Sequence, residues 1–332
     1  MRKLLILSLA GLIAQLVDGA LGMGYGVTSS SLLLLAGLSP ALASASVHLA
    51  EIGTTIISGA SHHRLGNTDW RLTARLAGPG AVGAFLGATV LSHLSTRAAT
   101  PISSTILLAL GLYVLARFTI RPPAASTARR SPHSTLFLTP LALLGGFIDA
   151  TGGGGWGPVT TTTLLSRGRT APRTVVGSVD TAEFLVSVAA SAGFLAGLGT
   201  AGIEIGVVLA VLAGGALAAP LAAWVVSRLP GQVLGSGVGA LIVCTNLMTL
   251  LHAVGAPTAL VGGLIAALAP ILAVLVAISA RRARRSLRLT AAASHPRERA
   301  LRQPALREPV PTGAAGAAGA AGVAGVSAGA GL

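Results

Sequence analysis

Long apolar runs separated by short polar gaps extend through most of the chain. Several of these runs reach the ~20 residues that a helix needs to cross about 30 Å of hydrocarbon. The gaps leave no room for a separate soluble domain. The runs are 4–17, 24–36, 41–60, 74–92, 102–119, 135–148, 159–166, 174–198, 202–226, 232–251 and 257–280. This pattern predicts an all-α integral membrane protein, with the lipid bilayer as its surroundings.

The composition agrees with a membrane protein. Of the 332 residues, 52% are hydrophobic and 10% are charged, against about 25% charged in soluble globular proteins. The formal net charge of +14 comes from arginines in loops and tails beside apolar runs. Such a placement is typical of membrane topology and not of nucleic-acid binding. The single cysteine, Cys244, excludes an intrachain disulfide and is interpreted as a packing residue.

Two glycine-rich stretches, each beginning with an aspartate, interrupt the apolar runs. They read "DGALGMGYG" at 18–26 and "DATGGGGWGP" at 149–158. A shift of about 131 residues superimposes them, and the register continues into the next helix with one insertion. The equivalent pairs are Asp18 and Asp149, Gly22 and Gly153, Gly24 and Gly155, Tyr25 and Trp156, Gly26 and Gly157, Ser46 and Ser178, His48 and Asp180, and Glu51 and Glu183. The chain is therefore a duplicated membrane unit.

Arginine-rich segments set the orientation, because Lys and Arg favour cytoplasmic loops. If both 121–133 and 167–173 lie inside, the element around Asp149 must enter and leave on the same face. Its first arm, 135–148, is about 21 Å long at about 1.5 Å per residue, too short to span. We therefore predict an inverted repeat of two four-element units, with seven full crossings and two re-entrant hairpins among eight or nine hydrophobic segments. The N-terminus is expected outside and the C-terminus inside, although two basic residues at the start favour the cytoplasm.

The same pattern predicts how the chain divides. We expect a first membrane repeat at 1–120, a basic cytoplasmic linker at 121–134, a second membrane repeat at 135–253 and an extra transmembrane helix at 254–282. A tail at 283–332 is Arg-rich and then Ala/Gly-rich. Its low complexity predicts disorder, because it offers too little apolar surface to bury.

The glycine breaks are the predicted substrate site. Irregular backbone at membrane depth is tolerated only where protein or a water-filled cavity satisfies its polar groups. Paired broken segments in duplicated transporters point to the substrate, and free N–H groups at the start of a helix attract anions. The predicted substrate-binding residues are Asp18, Gly22, Gly24, Gly26, Ser46, Asp149, Gly152, Gly153, Gly154, Gly155 and Ser178. In the competing interpretations, the glycines only pack helices closely and the aspartates only cap them.

Titratable residues inside the apolar runs suggest proton coupling. Five of the nine acids fall within those runs, where carboxylates are costly and usually mark ion or proton paths. The predicted proton-coupling residues are His48, Glu51, Asp180 and Glu183. His48 precedes Glu51 by three residues and shares its helical face. The pair would move protons or hold a metal, unless His48 is only a hydrogen-bonded core histidine.

These motifs resemble the TauE/SafE sulfite exporter family. The first half carries "GLIAQLVDGALGMGYGVTSSSLLLLAGLSPALASASVHLAEIGTTIISGASHHRLGNTDWRL" and the second carries "GGFIDATGGGGWGP" and "VVGSVDTAEF". The likeness covers about 4–253, and the glycine motifs match at 22, 24, 26 and 152–155. It implies a secondary transporter of small sulfur-containing or organic anions, such as sulfite, sulfoacetate or thiosulfate. Its members differ in substrate and direction.

Two rival functions stay open. The surplus of acids over bases inside the membrane also suits a cation or metal permease. Two facing aspartates would suit an intramembrane acid-dyad enzyme, although neither lies in a Gly-x-Gly-Asp context. We expect a multi-pass transporter of the inner (cytoplasmic) membrane that is not an enzyme, uses no cofactor or resident metal and binds no nucleic acid. The sequence leaves homodimer formation undecided.

Overall fold

The computed structural model describes residues 2–21, 23–120, 128, 130–199, 205–228 and 231–302, and these ranges contain helices and no strands. The helices are α1 (Arg2–Leu21), α2 (Tyr25–Leu35), α3 (Pro40–Arg64), α4 (Trp70–His93), α5 (Thr96–Ile120), α6 (Thr135–Gly152), α7 (Thr162–Arg167), α8 (Pro172–Leu198), α9 (Ile205–Arg228), α10 (Gly231–Ala253) and α11 (Thr258–Arg302). A π-helical turn, Gly157–Thr161, leads into α7. The predicted all-α class is confirmed.

Within the described residues, seven helices are long and apolar enough to cross a membrane. They include α3, α4, α5, α6 and α8, together with 235–253 of α10 and 258–285 of α11. Shorter apolar helical stretches occur at Leu4–Leu16, Tyr25–Leu35 and Ile205–Ala218. The protein is therefore an integral membrane protein that crosses the membrane several times.

Helix α6 is longer than the sequence pattern indicated. It extends through Asp149 to Gly152 and has 18 residues, about 27 Å at the usual rise per residue. The expectation that 135–148 is too short to span is therefore wrong, and length alone does not require a hairpin there. The extra turn persists because serines from three other helices satisfy its last carbonyl groups, as described below.

The last helix also extends beyond the boundary that the sequence predicted. Helix α11 continues to Arg302, well past the expected boundary at residue 283, because Ala, Leu and Arg have high helix propensity. The chain forms one compact unit from Met1 to Arg285 and a second from Ser286 onward. The Ala/Gly-rich sequence at 303–332 lies outside the described residues.

The two halves of the chain exchange partners in the core. The first helix of each half packs extensively on a helix of the other half, α1 on α9 and α6 on α4. Helix α3 packs on its own counterpart α8, and α5 on its counterpart α10. This pairing is the pattern that a two-fold relation between the predicted repeats would give, and the inverted repeat with its two re-entrant hairpins stays a prediction. Each half therefore needs the other to bury its apolar faces.

Glycines bring the backbones of the exchanged helices into contact. A Cβ atom added to Gly83 of α4 would overlap the carbonyl oxygen of Leu143 in α6. At the equivalent crossing, a Cβ added to Gly214 of α9 would overlap the carbonyl oxygen of Ser8 in α1. Small residues at such crossings allow the close packing that stabilises helix pairs in membranes.

We expect Gly83→Ala to destabilise the protein by about 1–3 kcal/mol, because the added methyl group must push two backbones apart. Gly78→Ala is the matched control, since it lies in the same helix with open space where its Cβ would be. Thermal unfolding of the two variants in detergent checks this. Equal melting temperatures would contradict the proposed backbone contact.

Candidate substrate and coupling site

The two glycine breaks meet in the protein interior. A Cβ atom added to Gly26 would lie 2.9 Å from the Cα of Gly154 and 3.0 Å from Oε1 of Glu51. A Cβ added to Gly157 would lie 2.8 Å from the Cβ of Met23. The structure thus brings together the two segments that the sequence predicted to form one site. Only glycine permits this approach of one broken segment to the other.

Backbone conformation also requires glycine at the breaks. Gly24 has φ 119°, Gly153 has φ 76° and Gly154 has φ 150°, values that residues with a side chain rarely adopt. Gly153 ends α6 in the left-handed conformation, the usual way for a helix to stop. The chain then turns into the π-helical segment, a rare geometry often found at functional sites.

Three serines satisfy the carbonyl groups at the end of α6. The Ser44 hydroxyl of α3 donates to the carbonyl of Ala150 (2.7 Å). The Ser103 hydroxyl of α5 donates to the carbonyl of Thr151 (2.7 Å), and the Ser30 hydroxyl of α2 donates to the carbonyl of Gly153. Buried carbonyl groups need such partners. The break in α6 is therefore held by side chains from α2, α3 and α5.

The paired aspartates satisfy the amide groups that begin the second arms. Oδ1 of Asp149 accepts hydrogen bonds from the backbone N–H groups of Gly155 (2.7 Å) and Trp156 (3.0 Å). Oδ1 of Asp18 accepts one from the N–H of Tyr25 (3.3 Å). The sequence predicted that these amides would be free for an anion. In this conformation carboxylates occupy them, because a buried N–H without a partner is costly.

His48 joins the second break to α3. Its Nε2 lies 3.0 Å from Oδ2 of Asp149, and its Nδ1 lies 2.8 Å from the carbonyl oxygen of Ser44. Since a carbonyl only accepts, Nδ1 carries a hydrogen, and a proton is shared between Nε2 and Asp149. His48 is fully buried and Asp149 is 1% exposed. The structure thus places a histidine and a carboxyl group in direct contact in the protein interior.

Glu51 lies beside this pair and is 2% exposed. Its Oε2 accepts a hydrogen bond from the Ser187 hydroxyl of α8 (3.3 Å), while Oε1 has no hydrogen-bond partner. His48, Glu51 and Asp149 each place one ligand atom so that the three atoms lie within 4.8 Å of one another. One nitrogen and two carboxylate oxygens form a donor set that fits a divalent transition metal.

A small polar cavity adjoins Glu51. Acids from three helices line it, namely Asp18, Glu51, Asp180 and Glu183, and its volume is about 20 Å³. A space of this size holds a single water molecule. A polyatomic anion does not fit in this space, so the conformation described here is closed to one at this cavity.

Two other predicted residues lie away from the breaks. The Ser178 hydroxyl accepts a hydrogen bond from the backbone N–H of Asp69 (2.8 Å), and the Ser178 carbonyl accepts one from Thr73 (3.1 Å). Ser178 therefore holds the start of α4 against α8. Ser46 is fully buried with no hydrogen-bond partner for its hydroxyl. Gly22 lies outside the described residues.

The remaining predicted glycines have packing roles around the break. A Cβ on Gly152 would lie 2.8 Å from a side-chain methyl of Ile106 in α5, and a Cβ on Gly155 would lie 2.8 Å from Ile148. Sequence reasoning missed Ser103, which begins a run of three hydroxyl residues at 103–105, and Ser187, which is an isolated hydroxyl in an apolar helix. A polar residue inside an apolar run was the only signal that could have indicated them.

A family model described as sulfite exporter TauE/SafE matches residues 7–249. The chain belongs to this family. A curated relative, the probable membrane transporter protein YtnM of Bacillus subtilis (strain 168), is 50% identical to this TauE/SafE protein over 252 residues, which cover 76% of the chain and 84% of the relative. No solved structure matches the chain. The match includes both glycine breaks, and the protein is a membrane transporter.

Replacing Asp149 separates its two roles. Asp149→Leu removes the partner of His48 and the acceptor for two buried amides, and we expect a loss of about 3–5 kcal/mol in unfolding free energy. Asp149→Asn keeps a carbonyl oxygen for the amides, so we expect a smaller loss. Thermal unfolding in detergent measures both. If the two variants have the same melting temperature, the hydrogen bonds from Gly155 and Trp156 to residue 149 do not stabilise the break.

Proposed function

We propose that this TauE/SafE protein is a secondary transporter of a small anion of the sulfite, sulfoacetate or thiosulfate class in the cytoplasmic membrane. The observation that carries the proposal is the backbone contact between the two glycine breaks, at Gly26 and Gly154, beside a cluster of buried acids. The contact lies between the two halves of the chain. Movement of one half against the other would expose it alternately to either side.

Asp149 supports a specific way for the site to bind an anion. Its carboxylate accepts from two adjacent amides at the start of the second arm, which is the arrangement that an oxyanion also needs. In the closed conformation the carboxylate stands in for the substrate. When the halves separate, an anion takes these amides, and Asp149 turns away together with the proton it shares with His48.

The acid cluster supports proton coupling. Two like unit charges 4 Å apart repel by about 4 kcal/mol at an effective dielectric constant of about 20, which weakens binding by about a thousandfold. An anion therefore enters only when nearby carboxylates are neutral. We assign the protons to Glu51, Asp180 and Glu183, with His48 assisting. Each anion would move together with at least one proton.

A second candidate is a transition-metal permease, because His48, Glu51 and Asp149 form a compact donor set. Nickel or zinc would then stabilise the purified protein and sulfite would not. The acid-dyad enzyme receives no comparable support. A dyad needs two carboxyl groups sharing one proton, whereas Asp149 lies 3.0 Å from His48.

Flux through liposomes tests the position of the site. Wild-type protein should exchange labelled sulfite, and Gly153→Leu should abolish exchange because a side chain there meets Ser30. Gly78→Leu, at a position with open space, should exchange like wild type. Size-exclusion chromatography shows whether each variant is folded. If Gly153→Leu does not fold, sulfite exchange is measured with Gly153→Ala instead. Normal flux in a folded Gly153 variant would refute the site.

Proton coupling predicts a separate result. A proton gradient with the more acidic side outside should drive sulfite accumulation in liposomes that contain wild-type protein. Glu51→Gln and Glu183→Gln should each remove this response, because a glutamine side chain cannot carry the proton. Sulfite exchange at equal pH should survive. Glu308→Gln, in the Ala/Gly-rich end of the sequence, is the matched control. Gradient-driven uptake that persists in both cavity variants would contradict the proposed role.

A further inference from the structure

Four buried oxygen atoms without hydrogen-bond partners line the same small cavity. Three are acceptors, Oε1 of Gln15 in α1, Oε1 of Glu51 in α3 and Oδ2 of Asp180 in α8, and the fourth is the hydroxyl oxygen of Tyr25 in α2. Glu51 is 2% exposed, so bulk water does not satisfy it. Unpartnered buried polar atoms are rare, and an ordered water or ion is one explanation for them. Four of them around one small space make that space a candidate site for a water or an ion.

The lining is chemically suited to a cation. It consists of carboxylates, hydroxyls and a carboxamide, with no lysine or arginine among the described residues. Oxygen ligands of this kind select hard metal ions. The volume of about 20 Å³ admits one particle of the size of water. Mg²⁺ usually keeps several of its waters and Ca²⁺ takes six to eight ligands, so the space favours a dehydrated monovalent ion.

The duplication explains why a positive charge is needed here. Asp149 pairs with His48 at 3.0 Å. The residue equivalent to Asp149 at the other break is Asp18, and the residue equivalent to His48 is Asp180. Both of these acids line the cavity. At one break the chain thus pairs an aspartate with a histidine, while at the other it places two acids in the equivalent positions.

We propose that the cavity between Asp18, Glu51, Asp180 and Glu183 binds one dehydrated Na⁺, which is the counterpart at this break of His48 beside Asp149. Gln15 provides a neutral oxygen ligand. One monovalent ion does not neutralise four carboxylates, so protons occupy the others and compete with Na⁺. The role of Na⁺ as a second coupling ion rests on the proposed anion transport, but its binding does not.

Binding of ²²Na⁺ to the purified full-length protein tests the site directly, with choline replacing Na⁺ at constant ionic strength. We expect saturable binding that weakens by about tenfold or more in Asp180→Asn, a loss of about 1.4 kcal/mol. Asp180→His should abolish binding because it copies the arrangement of His48 and Asp149. Glu308→Gln should bind like wild type.

Folding is monitored by size-exclusion chromatography, and thermal unfolding with and without Na⁺ gives a second measurement. The absence of saturable ²²Na⁺ binding to folded wild-type protein would overturn the proposal, as would unchanged binding in Asp180→His. The result is independent of flux. Na⁺ binding without sulfite transport would refute the proposed function alone, while proton-driven sulfite transport without Na⁺ binding would refute this site alone.

Discussion

Hydrogen bonding of interrupted backbone inside a membrane protein is the constraint on which this structure depends. Helix α6 stops at Gly153 in the interior, and the carbonyl groups before the stop and the amides after it all need partners. Serines from α2, α3 and α5 provide them on one side, and Asp149 provides them on the other. The site is therefore assembled by several helices that are distant in sequence.

In the proposed mechanism, the same groups make the break responsive to an anion. An amide that donates to a carboxylate can exchange that carboxylate for another anion of similar shape. The exchange would have little cost if the outgoing carboxylate took up a proton, and His48 lies within hydrogen-bonding distance of Asp149 to share one. Structural stability and the proposed anion recognition would then use the same hydrogen bonds, so helix capping and substrate binding are not exclusive interpretations of Asp149.

Sequence pattern predicted the all-α class, the two breaks and the register that relates Asp18 to Asp149, because local composition and duplication carry these features. The pattern also indicated His48 and Glu51, since charge inside an apolar run is conspicuous. It did not reveal Ser103 or Ser187, because hydroxyls in a membrane helix, alone or in a short run, usually bond their own backbone. The length of α6 was misjudged for a related reason. The glycines after Asp149 indicate that the helix is interrupted, but tertiary contacts determine at which of these residues it ends.

One departure from the sequence repeat concerns the charged groups at the two breaks. His48 lies beside Asp149, while its counterpart Asp180 lines the same cavity as Asp18. A histidine at both positions would give each aspartate a partner from the chain itself, and an acid at both positions would give neither aspartate one. With one of each, and with the proposed cation site, one break would close through the chain itself and the other only when a mobile cation arrives. The conformation of the protein would then depend on the ions on either side of the membrane.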